Sequence, residues 1–215
     1  MQLILLLTPK GSRFKNEHVL TQTVNDVARP LSEQKRDAIL TSAAGLVATM
    51  GTGAPTAKIA KVAGLAEGTL FIYFASKDEL LNQLYLGLKA EVGAAVLESY
   101  PSNGSVRERS RHVWDRFIDW GAAHPMKAKA MRQLSVSDRI TEDSRRRVGA
   151  VFRDVNAMLE QSLADGVLKD QPQAFIGAIL EALAETTLEF IARDPQKREQ
   201  YKQAGFQVFL NIITK

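Results

Sequence analysis

Residues 59–81, IAKVAGLAEGTLFIYFASKDELL, constrain the fold of this chain more than any other stretch. The centre, TLFIYF, is built from residues of high strand propensity, and a strand needs a partner for its backbone hydrogen bonds. The other run of similar character, LILLL at residues 3–7, lies far upstream. A helix needs no partner. At helical spacing Leu70 and Phe74 share one face and Thr69 and Tyr73 another, and Ser76 opens a new helix. The stretch therefore predicts two short helices joined by a tight turn and followed at once by a third.

The neighbouring residues support that reading. A helix begins near Ser32, runs through Ile39, Leu40, Ala43, Ala44, Val47 and Met50, and stops at Gly51. Thr56 is expected to cap the next helix, whose inner face is Ile59, Ala60 and Ala63. Gly64 ends it in the left-handed conformation, and Leu65 is the expected buried turn residue. The second short helix spans about residues 67–74. Gly68 and Thr69 fall at its start, where unpaired amides and the helix dipole suit a phosphate or a base edge. Tyr73, one turn on, offers a phenol to phosphate. Ser76 and Glu79 form a capping-box pattern that leaves Lys77 in the first turn, where a cation opposes the dipole. That placement points to a role outside the helix, such as a phosphate contact.

These residues resemble the tetracycline-repressor-like (TetR/AcrR) transcriptional regulators. The run from Thr56 to Ala63 carries the resemblance together with Gly64, Leu65, Gly68, Thr69, Leu70, Tyr73, Phe74, Ser76, Lys77, Asp78 and Leu80, within roughly residues 34–81. The resemblance implies DNA contact by Thr56, Gly68, Thr69, Tyr73 and Lys77. Lys58 and Glu67 join the candidate set, and Glu67 and Ile72 occupy variable positions that help set which operator is read. Ala66 replaces a frequent serine and Phe71 a frequent tyrosine. The first puts the usual capping in doubt; the second loses a phosphate contact or turns inward.

Beyond residue 81 all further segments read as helical. The third helix continues to about residue 100, and one helix covers residues 105–124 with Val106, Val113, Trp114, Phe117, Ile118 and Gly121 inward. Pro125 breaks it before a shorter helix, and a single helix over residues 141–166 carries Val148, Val151, Phe152, Val155, Leu159 and Leu163 on one stripe. Two apolar helices, residues 172–193 and 195–213, end the chain. The fold class is all-α: an extension over residues 1–31, a helix-turn-helix DNA-binding domain over 32–81, and an effector-binding and dimerisation domain over 82–215. The extension is a tail, a vector or start-site addition, or a basic arm bearing Lys10, Arg13 and Lys15.

In the family the last two helices form a four-helix dimer bundle, and the middle helices enclose a small-effector pocket. Trp114, Phe117, Phe152 and Met158 are the candidate lining here, with Trp120 and Met131 beside them; plain core is the competing reading. Arg145, Arg146 and Arg147 read as a solvated face, and His112, Asp115 and Asp119 as a polar stripe rather than a metal site.

Composition narrows the function classes. With no cysteine and three separated histidines, thiolate chemistry and a His- or Cys-based metal site find no support. No cofactor motif, phosphate loop or nucleophile elbow is present. No apolar run reaches the roughly 20 residues of a membrane span, so a cytoplasmic protein is expected. The net charge is +4, with 10 Lys/Arg against 7 Asp/Glu in residues 1–90 and 18 against 17 thereafter. Most of the excess therefore lies in the shorter, N-terminal part, which fits an acidic partner without identifying it. The expected function is a sequence-specific regulator of double-stranded operator DNA, most simply a repressor, with a small-molecule effector, a homodimeric state and no cofactor. The alternatives are a non-specific DNA-binding structural protein and an all-helical enzyme.

Overall fold

The computed structural model describes residues 32–214, so the extension at residues 1–31 lies outside the described residues. Among them ten α-helices follow one another, with two short 3-10 turns. Helix α1 (Glu33–Met50) buries Ile39, Ala43, Ala44 and Val47 and stops at Gly51, where φ is 72°. Helices α2 (Thr56–Val62) and α3 (Glu67–Tyr73) meet through Gly64 at φ +72°. The Leu65 amide donates back to the Ala60 carbonyl (2.9 Å) and the Gly64 amide to the Lys61 carbonyl (3.1 Å). This pair of bonds is the Schellman closure, which requires a left-handed residue that glycine adopts without a Cβ clash. Leu65 is half-buried rather than fully inside.

Helix α4 (Lys77–Leu97) leaves the motif and enters the larger part of the molecule, so the boundary drawn at residue 81 falls within a continuous helix. It ends three residues earlier than the expected 100, and Ser99 turns the chain at φ 55°. Helix α5 (Val106–Ala123) starts with a full capping box between Ser105 and Glu108. Helix α6 (Pro125–Ser135) packs on α1.

The expected single helix over residues 141–166 is two: α7 (Glu142–Val151) and α8 (Arg153–Ala164), broken at Phe152 with φ −100° and ψ 25°. The break has a non-local cause. A Cβ built on Gly93 would lie 2.2 Å from Cγ1 of Val151, so α7 rests almost on the backbone of α4, whereas α8 turns to pack on α9 (Gln173–Arg193). The Asn156 amide covers the Gly149 carbonyl (3.2 Å) near the bend. A straight helix could not follow both partners.

Arg145 also departs from expectation. Its guanidinium donates to the carbonyls of Ser135 (2.9 Å) and Ser137 (3.2 Å), fastening the exit of α6, while Arg146 and Arg147 stay exposed. Consecutive helical residues fan out by about 100° each, so one of three can turn inward while its neighbours remain in water.

Helix α10 (Arg198–Ile213) packs on α9 and α5. Asp119 of α5 accepts from Arg198 Nη2 and Lys202 Nζ of α10, each at 2.8 Å. Burial alone pushes its carboxyl up, but hydrogen bonds from and proximity to the two cations outweigh it and hold the group below its ordinary value. The unfolded chain then binds the proton more readily than the folded one. This pair's stabilisation is complete above the usual carboxylate pKa of about 4 and fades as pH falls below it. Asp119→Asn should therefore flatten the acid limb of a stability-versus-pH curve measured by urea unfolding; an unchanged limb would remove the linkage.

Candidate nucleic-acid interface

Helix α3 buries Leu70, at 0% exposure, and its end is pinned by Phe74 at 1%. Glu67, Gly68, Phe71 and Ile72 stay exposed and Thr69 half-buried, so one apolar ridge holds the helix while the rest of its surface faces out. Ala66 stands at the N-cap with extended backbone and no side-chain bond, leaving the first turn open. Phe71 does not turn inward; its ring is 43% exposed, so an apolar edge stands where a phenol would otherwise be offered.

Thr56 is the first residue of α2 rather than its cap, which is Pro55. The Thr56 hydroxyl instead donates to Glu67 Oε1 at 2.6 Å, joining the start of α2 to the start of α3. Two residues of the candidate set are thus bonded to each other across the turn. Lys58 is exposed, with Nζ 3.5 Å from the Met50 sulfur. The phenolic oxygen of Tyr73 accepts from the Ser32 amide (3.1 Å), which ties the end of α3 to the start of α1 and leaves the phenol proton to donate elsewhere.

Ser76 caps α4 by accepting from the Glu79 amide (3.0 Å), and Glu79 answers by accepting from Ala75 (2.7 Å), one residue before the expected partner. Lys77 follows in the first turn. Burial lowers its pKa most, nearby Arg139 lowers it further, and Asp78 partly offsets both. The Thr56 to Glu67 and Ser32 to Tyr73 bonds have no signal in the sequence, since they connect residues far apart along the chain.

Two grooves lie elsewhere. One of about 690 Å³ is lined by charged residues of α5 and α10, including Arg111, Asp115, Asp119 and Lys202; the other, about 380 Å³, lies between α1 and α4. Trp114, Phe117, Phe152 and Met158 line neither. Trp114 faces α10, where its Nε1 donates to the Lys202 carbonyl (2.8 Å), whereas Phe152 lies against Gly93 of α4. His112, Asp115 and Asp119 do share the wall of the larger groove, but the His112 ring bonds the Val96 carbonyl (2.9 Å) and Asp119 is held by cations. No group of three metal-ligating side chains meets among the described residues. No described helix is long and apolar enough to cross a membrane.

Among the described residues the elements are helical, and α2 and α3, joined by a tight turn with α3 facing outward, have the arrangement of a helix-turn-helix. Residues 39–84 match the family model described as bacterial regulatory proteins, tetR family. Over a far longer span, the chain is similar to a tetR family transcription regulator from a Shewanella species. They share 28% identity over 84% of this chain and 98% of the other, with a TM-score of 0.74. A regulator from Marinobacter aquaeolei shares the fold at 21% identity, covering 85% of this chain and 96% of that one, with a TM-score of 0.73. The regulator LfrR from Mycobacterium smegmatis, solved with proflavine, aligns at 21% identity over 85% and 99% of the two chains with a TM-score of 0.61. The tetR-family match thus covers the helix-turn-helix segment, and the fold over most of the chain is that of tetR family transcription regulators, as a DNA-binding transcriptional regulator would have.

Proposed function

We propose that this regulator is a cytoplasmic repressor: a homodimer that reads a two-fold-related operator and changes its affinity when an apolar or amphipathic small molecule binds. The observation that carries the DNA-reading part is the outward surface of α3, which buries Leu70 and exposes Glu67, Gly68, Phe71 and Ile72. In this reading residues 32–81 form the DNA-binding domain and 82–215 the effector and dimerisation domain. Gly68 and Thr69 approach the major groove, Tyr73 and Lys77 donate to phosphate, and Thr56, Lys58 and Glu67 flank them.

The homodimer rests on an inversion in α9. Glu181 and Glu185 turn toward their own chain, paired with Lys89 of α4 and Arg132 of α6, while Phe175 and Phe190 are 54% and 44% exposed. A helix that turns two of its three acids inward, leaving Glu189 exposed, and two aromatics outward fits a surface covered by another molecule. Ligand responsiveness is supported by the relatives solved with proflavine and, for FadR from Bacillus subtilis, with stearoyl-CoA. In this chain Phe117, Phe152 and Met158 are the candidate lining, and Trp114 is the candidate that its packing favours least.

The test is operator selection from a random pool of duplexes, followed by affinity measurements. Thr69 offers a methyl to thymine and a hydroxyl to a base acceptor. Thr69→Ala should cost about 1–3 kcal/mol at one operator position and little on random DNA. An equal loss on both DNAs would assign Thr69 to phosphate. Failure to recover any preferred duplex would overturn the operator-reading function.

A further inference from the structure

The connection between α6 and α7, residues 136–141, belongs to the larger helical part of the chain yet lies against the first turns of α4. Its backbone is anchored on several sides. Arg145 holds the carbonyls of Ser135 and Ser137, and Ile140 is buried at 4% exposure. The Asn82 side chain on α4 donates to the Arg139 carbonyl (2.9 Å) and accepts from the Thr141 amide (3.0 Å). From this fixed loop the Arg139 side chain, 46% exposed, reaches the start of α4 and donates from Nη1 to Asp78 Oδ1 at 2.6 Å.

Arg139 thus stands beside Lys77, close enough for its charge to disfavour the ammonium form. Asp78 is the acid between them and pairs with Arg139. Exposed Arg139 and half-buried Lys77 are thus held together at the start of α4 with Asp78 alongside, while Glu79 of the same turn is engaged with the Ala75 amide. Such a pair is unfavourable alone and favourable beside a polyanion. The loop's anchors also fix the backbone of Arg139 in advance, so less freedom is lost when an anion binds.

We propose that Arg139 is a further phosphate contact flanking Lys77, supplied to the DNA interface by the larger helical part rather than by the helix-turn-helix. The inference rests on the reading of Lys77 as a phosphate ligand. It makes the DNA backbone a direct partner of both parts of the chain. Any ligand-driven shift of residues 136–141 would then change a DNA contact without moving α3.

The alternative role for Arg139 is a purely structural tie to Asp78, and the two roles predict different signs. The full chain is measured on its selected operator and on random duplex at several salt concentrations as Arg139→Gln, Arg139→Lys, Asp78→Asn and Lys77→Ala. If Arg139 meets phosphate, Arg139→Gln reduces the slope of log affinity against log salt by about one counterion and weakens both DNAs alike. Arg139→Lys keeps the slope. Asp78→Asn frees the guanidinium and removes a negative charge, so it strengthens binding. A structural tie is broken equally by Arg139→Gln and Asp78→Asn, so both would weaken binding with the slope untouched, and that result overturns the proposal.

An unchanged slope in Arg139→Gln with a reduced one in Lys77→Ala removes the Arg139 role and leaves that of Lys77. The reverse keeps Arg139 and removes Lys77, and unchanged slopes in both remove both. Should Arg139→Gln fail to fold, the sign of the Asp78→Asn effect decides.

Discussion

Trp114→Ala should lower the unfolding free energy by about 3–5 kcal/mol, the usual cost of emptying a large aromatic from a closed core. The indole is fully buried, at 0% exposure. Its ring is stacked on Phe209 of α10 with centroids 6.1 Å apart and planes 15° from parallel. Helix α10 comes this close because position 205 is glycine: a Cβ there would lie 2.5 Å from the indole Cζ2 and 2.5 Å from the Thr187 hydroxyl oxygen. Truncation would empty a space with little freedom to collapse and remove the donor to the Lys202 carbonyl. Urea unfolding followed by far-UV circular dichroism measures the change, provided the m-value is unaltered. A loss under about 1 kcal/mol would mean that the site is open or readily refilled, and would return Trp114 to the candidate pocket lining. Trp114→Phe, which keeps most of the stacked area, should cost less.

The helix-turn-helix was legible because its determinants are local. Gly64 at positive φ, Leu70 and Phe74 four residues apart and the Ser76 cap each act within one or two turns of chain, and all appear where their spacing predicts. Elements set by distant partners were less legible. Apolar spacing runs without interruption through residues 148–163, so nothing in it marks the break at Phe152; the cause is Gly93, on another helix. Arg145 lies in a run that looks uniformly solvated, and only the carbonyls of Ser135 and Ser137 distinguish it from its neighbours. Within the candidate site, Thr56 has the hydroxyl expected of a cap, but Glu67, brought near by the turn, takes its hydrogen bond.

The same limit applies to the two terminal helices. A sequence shows that α9 and α10 are apolar on wide faces, but not which apolar residues their own chain consumes. Phe209, at 3% exposure, is consumed by Trp114, and Leu183 is half-buried against the core. Phe209 is therefore not free to serve as a partner contact, although spacing alone makes it look suitable. The outward stripe is Phe175, Ala178, Ala182 and Phe190 on α9, continued by Ala204 and Val208 on α10.

A dimer built on that stripe should dissociate when it is charged. Ala182→Glu and Val208→Glu place a carboxylate on exposed positions, so each folded monomer should lose no more than about 0.5 kcal/mol of stability. Burying the same carboxylate between two chains without a partner is far costlier, because the ion must leave water. Native mass spectrometry at micromolar concentration should therefore show monomers for both variants and a dimer for the unmutated protein. Operator affinity should fall by roughly 10²–10⁴, the gain that linking two binding heads supplies, whereas a single head on random DNA should be much less affected. Phe209→Glu is the contrasting case, since it buries a charge against Trp114 within one chain and should unfold the protein instead of merely separating it. If the unmutated protein is monomeric, the dimer is removed from the proposed function. If the Ala182 and Val208 variants remain dimeric with full operator affinity, the α9 and α10 stripe is not the interface and the outward aromatics need another partner.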